Sequence, residues 1–489
     1  MLLFAVVQTS CKKDFTNINT DPNTTPTALP QQLLAPALVN VLTANMLRAR
    51  TFNNELMQTT VNETDGEGAV FRYDIQPNQA DYTYNALYAQ LTNIKDIYNI
   101  ASQPLTLNKG YQGISLILQC WIYSILTDTY GDIPYFQSNQ GKDLVFEPAF
   151  DKQKDIYTDI FAQLENANTL LNGAANVVAA SDPVYNGNVA QWRKFGNSLY
   201  LRLLMRLSGK AEVAATVQAK IKDMIDNNAA NYPIMTSNTD AAVLRWTGTS
   251  YLVSPFVNGV REQDWRAPAI TSFFINNLTK WADPRLYQGS WSIATYNGGY
   301  VGVPSGYAAG TAPVGKSYFL STTSPKTLMT DPLMGNIMNY GELQFLLAEA
   351  FVKSYITTGA AKTYYDNGVT AGVTFWLPTY FTAPITTATY EAAADITWND
   401  ALPLDTKMEM IHVQKYYTMF WTDSQQWFEY RRTGHPVLPK GPGLLNGGVM
   451  PARLNYPVYV QSVNPTQYKA AVASQGADVI STQVWWQKP

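Results

Sequence analysis

Apolar residues recur at a spacing of about 3.6 from Leu33 to about Arg50. The pattern returns at about 80–102, 110–127, 152–171, 189–208, 212–226, 341–354, 360–375 and 406–430. That period is the signature of a helix with one buried face, so each segment is expected to be helical. The 189–208 segment is the clearest. Asn188 stands where an N-cap belongs, because its short side chain can accept a hydrogen bond from a free amide of the first turn. Trp192, Phe195, Leu199 and Leu203 then follow at i, i+3, i+7 and i+11 and form one stripe. Gly209 supplies a stop signal. Arg202 and Arg206 lie one turn apart on another face. Helices arranged in adjacent pairs predict a tetratricopeptide-like stack, although the strict repeat of about 34 residues is missing. The expected fold class is mainly α.

Other stretches break this rhythm. Residues 12–30 are rich in Asn, Thr, Pro and Asp and read as an extended lead-in. Residues 231–268 read as short strands and loops around Val243–Trp246. Residues 285–340 interleave Gly289, Gly298, Gly299, Gly302, Gly306, Gly310 and Gly315 with Trp291, Tyr296, Tyr300, Tyr307, Tyr318 and Phe319, and 376–403 holds Trp376, Tyr380, Phe381, Tyr390 and Trp398. Irregular loops of this length are usually functional or disordered. Disorder would leave many rings in water, which disfavours it. No run of Ser, Gly or charge separates the pieces. The expectation is one integrated unit over 12–489, with a loop-rich insertion at about 231–340.

Composition narrows the function. Charged residues make up 15% of the 489 residues, below the roughly 25% usual in soluble domains. Asn, Gln, Ser, Thr and Tyr replace them, which suits uncharged, hydrogen-bonding ligands. The 31 Tyr, 12 Trp and 19 Phe must largely fill a core, but they also offer rings for binding. A net charge of -3 without a basic run excludes nucleic acid as an expected partner, since that affinity comes from neutralising phosphates. Two cysteines rule out a disulfide framework, and Cys120, in the apolar run 114–125, is expected to pack as a small core residue. Leu2–Val7 is far shorter than the ~20 residues a membrane span requires. With Gln8-Thr9-Ser10-Cys11 after it, residues 1–11 read as the remnant of a secretory signal, and cleavage leaves Cys11 free for lipidation. The missing basic region predicts a truncated start.

Motifs for catalysis are scarce. His412 and His435 are the two histidines, and neither has metalloprotease spacing, so no metal site is expected. His412 is expected to be packed or solvent-facing. His435 sits near a helix end, where the dipole favours a partly positive ring. No nucleophile elbow, phosphate loop or dinucleotide fingerprint occurs, and no cofactor is expected. Paired acids can be far apart in sequence. Glu63, Asp65 and Glu67, and separately Glu262 and Asp264, are therefore the clusters to inspect; solvated loop charge is the plainer reading of each, and of Asp65-Gly66-Glu67 as a calcium loop.

Ordered strings along the chain resemble the SusD/RagB family, closest to its second SusD-like branch. They begin with Lys13-Asp14-Phe15 to Asn23 and continue with Asp128-Thr129-Tyr130-Gly131-Asp132-Ile133-Pro134-Tyr135. Gln191–Leu199 leads into Leu201–Arg206, followed by Trp281–Leu286, Glu342–Ala350, Trp427–Gly434 and Pro451–Pro457. The resemblance implies four tetratricopeptide-like helix pairs packed against an irregular, loop-rich half with a few short strands. It also implies a lipid-anchored, surface-exposed outer-membrane protein that binds a glycan or other nutrient without breaking a bond. Delivery to a TonB-dependent transporter is implied as well. The strings themselves read as scaffold, with Glu429, Arg431 and Arg432 as helix-end charge pairs and caps.

Aromatic loops are the stronger lead to a site. A flat ring lies against the apolar face of a sugar while amides, hydroxyls or Arg reach its hydroxyl groups, the common pattern of small-ligand sites. Tyr and Trp do this with few rotatable bonds to freeze. By loop position, the candidates are Phe71, Tyr73, Arg261, Trp265, Trp291, Tyr296, Tyr300 and Tyr307. Burial in the core competes for each ring. The alternatives are a peptide or other nutrient on the same architecture, a tetratricopeptide-type adaptor that binds protein in a helix-lined groove, and an acid-pair hydrolase.

Overall fold

Helices form where the apolar rows place them. The computed structural model describes residues 28–488 except 312, 321 and 323–326. The lead-in to residue 27 and Cys11 lie outside the described residues. Of the helices with eight or more residues, six come first: α1 Pro30–Arg48, α2 Asp81–Ala101, α3 Lys109–Tyr130, α4 Gln153–Leu171, α5 Val189–Leu207 and α6 Ala214–Lys222. After a loop-rich region containing α7 Ser272–Lys280 come α8 Tyr340–Val352, α9 Ala361–Trp376 and α10 Thr387–Ala394. The last three are α11 Leu404–Thr418, α12 Gln425–Thr433 and α13 Pro465–Gln475.

Asparagine caps set several starts. Asn108 accepts from the Tyr111 amide at 3.1 Å, Asn188 from Gln191 at 3.1 Å, and Asn339 from Glu342 at 2.9 Å. Each satisfies an amide that the first turn leaves without a partner. Gly209 is not a left-handed stop: α5 ends at Leu207 with Ser208 still in right-handed geometry. The stripe of Trp192, Phe195, Leu199 and Leu203 is buried throughout. The helix α3 is buried along its length except at Lys109 and Gln119. Cys120 packs inside it, with its thiol 3.6 Å from the Ile160 carbonyl.

Neighbouring helices pack as pairs: α1 with α2, α3 with α4, α5 with α6, and α8 with α9. Contacts of α5 with α8 join the last pair to the first three, and contacts of α8 with α11 add the helix that follows. The α8–α9–α11 junction is close because it is built on glycines. A Cβ at Gly341 would stand 2.8 Å from Thr418 Cγ2, and one at Gly368 would stand 2.7 Å from the Phe345 ring.

Charged residues of the scaffold strings tie these helices together in the interior. Arg202 on α5 binds Glu342 on α8 through two hydrogen bonds, 2.6 and 2.7 Å. Arg206 meets Asp128 of α3 at 2.7 Å and Gln425 of α12 at 2.8 Å. Arg432 grips Glu349 at 2.7 and 2.6 Å and Glu429 at 2.7 Å, and Lys415 also bonds Glu429 at 2.7 Å. The expected helix-end role of these charges is therefore too modest. Only Glu429 and Arg432 make a within-helix pair, and both sit in a buried lattice spanning several helices. His412 is buried in the same lattice, 3.5 Å from Glu349, and burial pulls its pKa down to about 3.

The segment expected as one helix over 406–430 is broken between α11 and α12. Trp421 (φ 66°) and Asp423 (φ 35°) adopt left-handed conformations. The buried Asp423 carboxylate accepts from Gln425 at 2.9 Å and Trp121 at 3.4 Å, so tertiary partners override the local period.

Strands are short. β1 Thr60–Val61 pairs antiparallel with β3 Ala269–Ile270, and β2 Ala242–Leu244 with β4 Gly335–Met338. A Cβ at Gly335 would stand 2.2 Å from the Leu244 carbonyl oxygen, so that ladder closes only on glycine. One core cluster runs from α1 to Trp486, through both the helical and the loop-rich parts. Among the described residues no helix is long and apolar enough to cross a membrane.

Candidate functional site

A buried clamp sets the geometry of a cleft on the loop-rich side. Asp283 opens a 3-10 turn, Pro284–Leu286, and its carboxylate accepts from the Arg285 amide at 2.9 Å. The Arg285 guanidinium binds the same carboxylate through Nε at 2.9 Å and Nη2 at 2.6 Å. Tyr390 donates to it at 2.7 Å, and Arg285 Nη1 reaches the Gly372 carbonyl on α9 at 3.3 Å. Asp283 and Arg285 are both buried, and a buried pair is tolerable only when hydrogen bonds satisfy it in this way. Burial, followed by the Asp283 charge, pushes the Tyr390 phenol far above its ordinary range. The clamp fixes where the chain emerges, and the next residue, Tyr287, is 57% exposed.

The opposite wall comes from the end of α9 and the loop after it. Trp376 packs edge-on to Trp291 with ring centroids 5.8 Å apart. Tyr380 stands edge-on to Phe381 at 5.1 Å and to Tyr390 at 6.3 Å, so its ring is braced from behind. Gly289 (φ +75°) brings the two walls together, since a Cβ there would lie 2.8 Å from Leu377. At the third side Asp331 caps the Pro332–Met334 turn by accepting from the Leu333 amide at 2.7 Å. The cleft is open to solvent, measures about 980 Å³ and is lined by Tyr287, Trp376, Tyr380 and Ile385, with Gln288, Thr330 and Thr379 between them. Rings and apolar groups, with amide and hydroxyl groups interspersed, are suited to a polyhydroxylated ligand of several rings.

The residues picked from sequence are scattered. Trp265 is buried edge-on to Phe256 at 4.8 Å and tilted against Trp421 at 5.6 Å. Trp291 is buried between Phe274, Phe420 and Trp376. Phe71 and Tyr307 are buried 5.2 Å apart, with the Arg72 guanidinium over both rings at 4.7 and 4.8 Å. Tyr73 is buried at the left-handed end of a 3-10 turn. These five rings therefore form core rather than an open platform, because a large ring gains most from full burial. Arg261 is exposed but already held by Asp264 through two 2.9 Å hydrogen bonds. Tyr296, 37% exposed, turns a tight bridge with Gly299. Tyr300 is partly exposed and near Tyr287; burial, then that neighbour, raises its phenol. None of the eight lines the cleft: Trp291 packs behind its Trp376 wall, and Tyr300 lies near Tyr287. Tyr287 and Tyr380 were missed as candidates. The 376–403 aromatic stretch was the available signal for Tyr380, while Tyr287 was hidden directly after a scaffold string.

The inspected acids are largely neutralised. Asp65 pairs with Arg72 at 2.8 Å, Glu262 with Arg266 at 2.7 Å, and Glu63 with Lys316. His435 is held by Glu409 at 2.7 Å and Asp405 at 3.4 Å. The Glu409 hydrogen bond is the main cause of its raised pKa, a role the sequence reading had given to a helix dipole.

A family model described as starch-binding associating with outer membrane matches residues 22–457. No curated protein matches the sequence significantly. Among solved structures, a SusD homologue from Bacteroides fragilis NCTC 9343 is 27% identical, with a TM-score of 0.77 covering 94% of this chain and 100% of that one. A structure described as a chitin-binding protein is 26% identical, with a TM-score of 0.76 over 94% and 100%. A chitin-binding SusD homologue from Flavobacterium johnsoniae, 20% identical over 94% and 98%, shares the fold at a TM-score of 0.78. With the mainly helical fold in agreement with these matches, the chain belongs to the second SusD-like family, described as starch-binding and associated with the outer membrane.

Proposed function

We propose that this protein captures a glycan in the cleft between Tyr287 and Tyr380 and passes it, uncleaved, to a TonB-dependent transporter. The observation that carries the reading is an open cleft with one exposed and one braced tyrosine on opposing walls, surrounded by hydroxyl and amide groups. The family's described association with the outer membrane supports a surface lipoprotein anchored through Cys11. The large core cluster shared by the helical and loop-rich parts supports residues 12–489 acting as one unit. The relative described as chitin-binding puts N-acetylglucosamine oligomers first among ligands to try.

Isothermal titration of residues 12–489 against a panel of polysaccharides, chitin oligomers and peptides tests this. One glycan class binds without release of new reducing ends. Tyr287→Ala or Tyr380→Ala weakens it about tenfold, near 1.4 kcal/mol, while the melting temperature holds. A peptide signal with silence from every glycan would move the function to peptide capture.

A further inference from the structure

A second concavity opens on the helical side and shares no lining residue with the cleft. It measures about 760 Å³ and lies among α2, α3 and α4, closed at one end by the loop that follows α3. Its floor includes Gln119, the one interior position at which α3 is not buried. A helix sealed on all other sides is thus left open at its middle.

The groove is preformed. Asn139 of the closing loop donates to the Tyr88 carbonyl at 2.8 Å and to Thr92 at 2.9 Å. Tyr135 donates to Asp159 on α4 at 2.7 Å, and the Tyr135 and Phe136 amides both reach Asp151 at 2.9 Å. The Lys95 ammonium donates to the carbonyl and hydroxyl oxygens of Ser138 at 2.9 and 3.0 Å. Little ordering cost remains for a ligand to meet.

Its chemistry resembles that of the cleft without sharing a residue with it. Phe136, 50% exposed, and the partly exposed Tyr98 line it as rings. Asn99, Gln119 and Gln163 offer amides, and Asp159 offers a carboxylate. Two groups stand incompletely used. Asn139 Oδ1 is buried without a hydrogen-bond donor, and among the described residues no carboxylate lies within ion-pair distance of Lys95. Burial pulls the Lys95 ammonium down to about 8. A sugar hydroxyl, both donor and acceptor, satisfies either kind of group.

We propose that this groove is a second saccharide-binding site, recognising a short stretch of glycan through Phe136, Tyr98, Lys95 and the amides of α2–α4. The proposal takes only the class of ligand from the glycan reading of the cleft. Two sites on one chain convert weak contacts with a long polysaccharide into firmer capture, because the second contact is made at high effective concentration.

The test is titration of residues 12–489 with maltohexaose, N-acetylchitohexaose, xylohexaose and laminarihexaose, with stoichiometry as the readout. Asn99→Trp obstructs the groove and Gln119→Leu removes an amide from its floor, both at positions outside the sealed core, and circular dichroism checks their folding. Tyr287→Ala/Tyr380→Ala disables the cleft. In that double variant, the acylation rate of Lys95 by acetic anhydride, read by peptide mass, reports the groove alone. The expected result is two equivalents of one hexaose for the wild type and one for either kind of variant. Saturating sugar slows Lys95 acylation at least fivefold. One equivalent abolished by the tyrosine pair and untouched by the groove variants overturns the second site and leaves the cleft standing. One equivalent abolished only by the groove variants keeps this site and removes the cleft. Protection of Lys95 by a peptide with a free C-terminal carboxylate, and by no sugar, overturns the saccharide assignment. Silence from all four hexaoses overturns both sites.

Discussion

At the scale of single residues, polar groups deep inside the protein carry more consequence than those at its surface. Arg202 and Glu342 are both essentially without solvent contact, and each depends on the other to compensate a buried charge. Arg202→Met leaves Glu342 uncompensated and is expected to cost about 3–5 kcal/mol in urea unfolding. Adding Glu342→Leu removes the stranded charge and should recover most of that loss; if the double variant is no more stable than the single one, the pairing is not what matters there. His435 contributes differently. Because Glu409 makes the folded protein hold this proton more tightly, the stabilisation is complete below the ordinary imidazole value of about 6.5 and is lost as pH rises through the folded value. Melting curves from pH 5 to 9 should show the gap between wild type and His435→Gln shrinking as pH rises. A gap that stays constant would mean the ring acts through packing alone.

Elements were the most legible level of the sequence. A helix stripe such as Trp192, Phe195, Leu199 and Leu203 is a local pattern, so its period survives without knowledge of the partner surface. The break between α11 and α12 was not legible, because Asp423 is held by Trp121, a residue remote in sequence. Exposure was illegible for the same reason. Nothing in the immediate neighbourhood of Trp265 or Trp291 distinguishes it from Tyr287, since burial depends on Phe256, Trp421 and Phe420 arriving from elsewhere. Close helix approach also belongs to this scale. Gly341 has no room for a Cβ against Thr418 and the α9 backbone. Gly341→Ala is therefore expected to destabilise by about 1–3 kcal/mol despite its better helix propensity. A neutral or stabilising result by thermal melting would show that α8 and α9 can move apart freely.

The whole molecule is closed by its C-terminal segment. Trp486 Nε1 donates to Asp128 at 2.8 Å, and the indole is faced by the guanidinium groups of Arg431 at 4.8 Å and Arg206 at 5.7 Å. One residue near the end of the chain thus touches α3, α5 and α12 together. Trp486→Ala is expected to cost about 3–5 kcal/mol and to lower the melting of the helical and loop-rich parts in a single transition. Two separated transitions in calorimetry would instead show that the halves unfold independently.

The clamp of Asp283, Arg285 and Tyr390 beneath the cleft has a further consequence for how such a protein diversifies. It anchors the walls from below with side chains that no ligand reaches, whereas Tyr287, Gln288, Thr379 and Ile385 stand at the surface and bear little of the fold. Mutation can therefore rewrite the surface set while the anchor holds its position. On the proposed reading of the cleft as the glycan site, a lineage can exchange one ligand for another by point changes at the rim, without passing through an unfolded ancestor.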